Sequence, residues 1–116
     1  MTGSLSGATG PAAPQTSAGF SDDAVQALSE SFTRLLADML AVYIKTKSFH
    51  WHIWGAHFLD YHLLLDDQAE QILATTDAMA ERVRKVGGTT IRSIGHIRDV
   101  SVCETTTRLT SNPLTC

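Results

Sequence analysis

The sequence predicts an all-α fold. Apolar residues recur at three- and four-residue steps in two long stretches, which is the spacing that places side chains on one face of a helix. Glycines interrupt this spacing between the stretches and again after the second one. A length of 116 residues allows one domain, so both predicted helices belong to a single core.

The first helix is predicted over residues 21–53. Ser21 is an N-cap candidate, and Asp22 and Asp23 place carboxylates in the first turn, where the helix dipole favours negative charge. No Gly or Pro interrupts the stretch as far as His50. Its apolar stripe contains Val25, Leu28, Phe32, Leu35, Met39, Val42, Tyr43 and Phe49.

A second helix is predicted over residues 58–86, after the short link formed by residues 55–57. Gly87 and Gly88 end it. Because the link is short, the two helices must lie antiparallel. Residues 91–97 have weak helical character and predict a short third piece. The stripe of the second helix contains Phe58, Tyr61, Leu65, Ile72, Met79, Val83 and Val86.

The two ends of the chain have a different composition from these helices. Residues 1–19 contain no charged or aromatic side chain, so we expect a disordered arm. Residues 99–116 have no apolar period and are not expected to join the fold. Cys103 and Cys116 lie in this tail without the spacing of metal ligands.

Charge and hydropathy exclude several classes of protein. The net charge of −3 gives no overall basic field for nucleic acid or membrane surfaces, so any DNA binding would have to be local. We find no run of about 18 apolar residues that could span a bilayer and no signal-peptide pattern at the start. We therefore expect a soluble, cytoplasmic protein without a membrane partner.

Five residues form the candidate metal-binding set: His50, His62, Asp66, Asp77 and Glu81. On the second helix, His62 and Asp66 are four residues apart, as are Asp77 and Glu81, and eleven residues, close to three turns, separate Asp66 from Asp77. All four side chains therefore share one face. Along the axis, however, Asp66 and Asp77 are about 16 Å apart, too far for one metal site within a single chain.

A two-fold dimer resolves this distance. The pair His62 and Glu81 and the pair Asp66 and Asp77 have the same centre in the sequence, midway between residues 71 and 72. Two antiparallel copies of the helix would bring His62 opposite Glu81 of the other copy and Asp66 opposite Asp77. This arrangement creates two equivalent sites. A set of imidazole and carboxylate ligands is more typical of an iron site than of a zinc site, which is often rich in thiolates. The alternative is that these polar residues are only solvated, and that the chain is a non-catalytic dimerisation or DNA-associating module.

The string from Lys47 to Phe58, KSFHWHIWGAHF, followed by His62 and by DDQAE from Asp66, resembles the signature of the Dps family. These DNA-binding proteins from starved cells are ferritin-like miniferritins, and the resemblance covers residues 20–98. It implies a subunit that is a ferritin-like four-helix bundle, and a hollow shell formed by twelve such subunits. The family ligands correspond to His50, His62, Asp66, Asp77 and Glu81, with every spacing kept.

The resemblance also implies the function. Family members oxidise Fe(II), chiefly with hydrogen peroxide, at sites between subunits, and they store the ferric iron and protect DNA. The expected activity is thus that of a ferroxidase with iron as its metal and a homo-oligomer as its assembly. DNA binding and nucleoid association are possible by family, although the Lys- or Arg-rich termini that often support them are absent here, since the first basic residue is Arg34.

The chain departs from the family after Arg98. Only the first two long helices and a short connecting helix of the bundle are present, because 18 residues remain where two further helices are expected. We interpret residues 99–116 as a non-native, frameshifted read, since a shifted frame permits a family-like continuation. Sequencing the encoding DNA tests this interpretation. A non-functional truncated fragment is therefore a further alternative.

Overall fold

The computed structural model describes residues 19–103, which form three helices and no strand. In chain order these are α1 (Asp22–His52), α2 (Phe58–Lys85) and α3 (Ile94–Val100). The all-α prediction is confirmed, and the observed limits of α1 and α2 lie within one residue of the predicted ones. Residues 1–18, where the disordered arm is predicted, and residues 104–116 of the tail lie outside the described part of the chain.

Helix α1 begins as its sequence predicts. Ser21 has an extended backbone, and its Oγ accepts a hydrogen bond of 3.2 Å from the backbone N–H of Ala24. This bond satisfies one of the N–H groups that the first helical turn leaves without a partner. The helix ends at His52. Gly55 in the link has a φ of +123°, a conformation that glycine adopts readily and other residues adopt rarely. The chain then reverses into α2.

Helix α2 ends in a Schellman motif. Gly87 has a φ of +91°, and its N–H donates to the carbonyl of Arg84 at 3.1 Å. The N–H of Gly88 donates to the carbonyl of Val83 at 3.0 Å, which is the longer bond of this motif. The two glycines therefore end the helix by satisfying carbonyls that would otherwise lack partners.

The two long helices approach each other closely near this end. A Cβ added to Gly88 would lie 2.8 Å from the Cβ of Ser29 on α1 and 3.2 Å from the Cγ1 of Val83. The hydroxyl of Thr33 on α1 also donates to the carbonyl of Thr89 at 3.5 Å. Gly88 thus fills a position where any side chain would push the helices apart.

The core between α1 and α2 is small. Its buried apolar residues within the described chain are Leu36, Ala37, Ala69 and Val83. Many larger apolar side chains of these helices remain exposed, because a pair of helices covers only one face of each. None of the described helices has an apolar stretch long enough to cross a bilayer. The exposed apolar residues of α1 and α2 include Leu35, Ile44, Trp51, Leu59, Leu63, Leu64 and Leu73.

Helix α3 packs on α1 and extends two residues past Arg98. Ser93 caps its start by accepting a 3.1 Å hydrogen bond from the N–H of His96. After the helix, Asp38 of α1 accepts hydrogen bonds from the Ser101 hydroxyl at 2.7 Å and from the Val102 N–H at 2.8 Å. Residues 99–102 are therefore joined to the fold, which differs from the expectation that the chain leaves the fold after Arg98. A seven-residue helix is too short to show an apolar period.

Candidate metal centre

The hairpin of α1 and α2 brings His50 and His62 together. His50 lies in the last turn of α1 and is buried, whereas His62 lies in the second turn of α2 and is half-buried. Their rings are stacked, with centroids 3.6 Å apart and an angle of 23° between the planes. The ring of Phe58 stacks on His62 as well, with centroids 4.9 Å apart. Both imidazoles are thus held in fixed positions beside the link.

Each imidazole is also tied to the backbone of the other residue. The Nδ1 of His50 lies 2.8 Å from the carbonyl oxygen of His62, and the Nδ1 of His62 lies 3.1 Å from the carbonyl oxygen of His50. Since a carbonyl only accepts, both Nδ1 atoms must carry the proton. In the neutral ring, Nε2 then has a free lone pair, which is the state that binds a metal ion.

Asp66 lies one turn after His62 and adds a carboxylate to this pair. Its Oδ1 is 3.8 Å from the Nε2 of His50 and 2.7 Å from the Nζ of Lys47. The hydrogen bond from Lys47 lowers the pKa of Asp66, and the same bond raises the pKa of Lys47. Asp66 is therefore held ionised as a potential oxygen ligand, although a lysine already occupies one of its oxygens.

The other two predicted ligands lie elsewhere on α2. Asp77 and Glu81 are exposed on the second half of the helix, and the Oε2 of Glu81 is 3.8 Å from the Nζ of Lys85. Within residues 19–103 of one chain, no three His, Cys, Asp or Glu side chains are arranged to hold a metal ion. The structure thus brings His50, His62 and Asp66 into one neighbourhood and leaves Asp77 and Glu81 apart from it.

Lys47 is the residue at this site that sequence reasoning missed. It lies three residues before His50 on α1, while Asp66 lies four residues after His62 on α2. Steps of about one turn in opposite directions along antiparallel helices lead to facing positions. Once His50 and His62 are assumed to meet, this spacing alone places Lys47 opposite Asp66.

Comparison with known proteins gives the family. Residues 29–110 match the family model of the ferritin-like domain. A protein of Nostoc sp. described as an uncharacterized low temperature-induced protein is 35% identical over 81 residues, which covers 70% of this chain and 45% of the relative. The DNA protection during starvation protein 1 of Deinococcus radiodurans is 38% identical over 63 residues, covering 54% of this chain and 30% of the relative.

Solved structures agree with this assignment. The antigen TpF1 of Treponema pallidum superposes with a TM-score of 0.71 at 28% identity, covering 76% of this chain and 56% of that chain. DpsC of Streptomyces coelicolor gives a TM-score of 0.70 at 30% identity and covers 76% of this chain and 51% of the other. The chain spans about half the length of these relatives or less. This chain belongs to the ferritin-like family, and Dps proteins are among its relatives.

Proposed function

We propose that this chain contributes to a ferroxidase centre that forms between two copies and oxidises Fe(II) for storage. The observation that carries the proposal is the convergence of His50, His62 and Asp66, with both imidazoles oriented by backbone carbonyls and both Nε2 atoms available. Two neutral nitrogen ligands and an ionised oxygen ligand form a donor set that suits iron. Fe(II) is the substrate of this site.

The second half of the centre comes from the other copy. In this arrangement the α2 helices of the two copies pack antiparallel, with the two-fold axis between residues 71 and 72. Asp77 and Glu81 of one chain then face Asp66 and His62 of the other. Each dimer then has two equivalent centres, and each centre has carboxylates from both chains. A homo-oligomer, with the family shell of twelve subunits as its full form, is part of the proposal.

The donor set accounts for the chemistry. Two Fe(II) ions bound at neighbouring positions each lose one electron to one molecule of hydrogen peroxide. The O–O bond of the peroxide breaks, and with two protons it gives two molecules of water. Because both electrons are delivered together, no hydroxyl radical is released. The carboxylates lower the cost of bringing two cations close together, and they stabilise the Fe(III) that forms.

Protection of DNA follows from the removal of Fe(II) and peroxide and needs no contact with DNA. The names of the starvation-protection relatives agree with such a role. The net charge of −3 restricts any direct DNA contact to a local patch. We therefore place iron oxidation first and direct DNA binding second.

The test is Fe(II) oxidation by the purified full chain. The protein is loaded anaerobically with Fe(II), one equivalent of hydrogen peroxide is added for every two Fe(II), and Fe(III) formation is followed by ultraviolet absorbance. We expect His62→Ala and Asp66→Asn to slow oxidation roughly tenfold or more. Asp67→Asn is the matched control, because Asp67 is exposed and accepts a 2.8 Å hydrogen bond from Gln71. It should oxidise iron at the rate of the wild type.

Two results would contradict the proposal. Wild-type protein that oxidises Fe(II) no faster than buffer would favour the non-catalytic dimerisation or DNA-associating module. A wild type that is active but unaffected by both ligand variants would place the oxidation elsewhere on the chain. Size-exclusion chromatography with light scattering on the same samples shows whether a dimer or larger assembly is present.

A further inference from the structure

Lys47 occupies the ligand oxygen that the proposed centre needs. Its Nζ lies 2.7 Å from Oδ1 of Asp66, the same oxygen that faces the Nε2 of His50 at 3.8 Å. The side chain of Lys47 is 20% exposed, so most of its stem is packed against the protein rather than extended into solvent. The ammonium group therefore lies where the predicted ligands converge.

A lysine and a divalent metal ion would compete for this oxygen of Asp66. A metal ion bound by a carboxylate lies about 2.0 to 2.2 Å from the oxygen. With the ammonium at 2.7 Å from the same atom, the two cations would be only a few ångströms apart in a partly buried site. Their repulsion disfavours simultaneous occupancy, so we expect the lysine to move away when metal binds.

A second carboxylate is available to receive the ammonium group. Glu70 lies one turn beyond Asp66 on α2, and its negative charge is the weakest of the influences that act on the pKa of Lys47. The four-carbon stem of Lys47 is flexible. The side chain of Asp66 is 43% exposed, so the ammonium group can move along the solvent side of the site. A shift of one helical turn would move Lys47 from Asp66 to Glu70.

We propose that Lys47 is a tethered counter-ion that competes with Fe(II) for Asp66 and moves toward Glu70 when the metal binds. This inference rests on the proposed ferroxidase centre. Lys47 is a positioning residue here, since it acts through Asp66. In the metal-free chain, Lys47 neutralises the charge of Asp66. The competition lowers the affinity of the site for metal ions, so that cations with little preference for imidazole nitrogen do not displace the lysine.

The experiment is a calorimetric titration of the full chain with Co(II), which is not oxidised by the protein, with the visible spectrum of Co(II) as a second readout. We expect Lys47→Met to bind Co(II) roughly three- to tenfold more tightly than the wild type, because the competing charge is gone. Lys47→Arg keeps the charge and should not tighten binding. Lys45→Met is the matched control: it removes one charge from α1 about 200° around the helix and should leave the affinity unchanged.

Glu70→Gln provides an independent variant that leaves the ion pair between Lys47 and Asp66 in place. We expect it to weaken Co(II) binding about two- to threefold in the wild type and to have no effect in the Lys47→Met background. Equal Co(II) affinities of the wild type and Lys47→Met would overturn the competition while leaving the metal centre intact. A failure of every variant, wild type included, to bind Co(II) would instead refute the proposed centre and the inference with it.

Discussion

His50 and His62 orient each other through hydrogen bonds from each imidazole to the other's backbone carbonyl, at 2.8 and 3.1 Å. The carbonyl of His50 belongs to the last turn of α1, where no intrahelical N–H is available to it. The hydrogen bond from the His62 ring therefore gives the His50 carbonyl a partner, and it also holds His62, a proposed metal ligand, in position. The end of one helix and the orientation of the site are set by the same contact.

This contact predicts the tautomer of both rings. In the metal-free protein, the neutral form of both His50 and His62 should carry the proton on Nδ1. Nitrogen-15 NMR correlations of the imidazole rings report this directly, and the exposed His57 is an internal comparison. Rings protonated on Nε2 would mean that the lone pairs do not face the candidate site.

Gly88 is predicted to be needed for the close approach of α1 and α2. Gly88→Ala places a methyl group 2.8 Å from the Cβ of Ser29, so we expect a loss of roughly 1 to 3 kcal/mol in the free energy of unfolding. Urea denaturation at fixed protein concentration measures it. Gly95→Ala is the control, because the nearest atom to its added Cβ is the Oγ of Ser93 at 3.8 Å. Equal stabilities of wild type and Gly88→Ala would show that the helices are not in close contact there.

The ion pair between Lys47 and Asp66 predicts a pH window for stability. The lowered pKa of Asp66 contributes stability above the ordinary value of about 4, and this is lost as the pH falls through the lowered pKa. The raised pKa of Lys47 contributes stability below the ordinary value of about 10.4, and this is lost as the pH rises through the raised pKa. The metal-free wild type should thus exceed Lys47→Met in stability between these limits.

Urea denaturation across this pH range checks the window. The difference between the wild type and Lys47→Met should shrink below about pH 4 and also when salt is added, since the pair is partly exposed. Lys85→Met is a suitable control, because Lys85 is 76% exposed and 3.8 Å from Glu81. A difference that is the same in acid as at neutral pH would mean that Lys47 stabilises the fold by packing alone.

Asp38 is predicted to hold the residues that follow α3. Removing its carboxylate in Asp38→Ala takes away the acceptor for Ser101 and Val102, so we expect their segment to open more often. Hydrogen exchange of the Val102 amide should become roughly tenfold faster or more, while the amides in the middle of α2 keep their protection. Asp99→Ala, a change of an exposed carboxylate on α3, is the control. Unchanged exchange at Val102 in Asp38→Ala would contradict this role.

Much of the hairpin could be predicted from the sequence because its signals are local. The apolar periods, the cap at Ser21 and the glycine at position 87 each act within a few residues, and the limits of α1 and α2 follow from them. The pairing of Asp38 with Ser101 could not be predicted, since 63 residues separate them and no pattern links them. Contacts of this kind depend on the packing of α3 on α1.

The site divides in the same way. The convergence of His50, His62 and Asp66 was expected from spacing and family resemblance, and the structure places them together. The ion pair of Lys47 was not predicted, because the spacing places Lys47 opposite Asp66 only once His50 and His62 are known to meet. The pairing of Asp77 and Glu81 with a second chain stays a prediction, because it depends on a contact between two copies.

The most direct test of the shared centre mixes two inactive variants. One chain has His62→Ala and Asp66→Asn, and the other has Asp77→Asn and Glu81→Gln. In a mixed dimer, one of the two centres combines only intact residues, so co-expression in equal amounts should restore about a quarter of the wild-type Fe(II) oxidation per chain. Each variant alone should be inactive. A mixture that remains as inactive as its components would contradict a centre built from two chains.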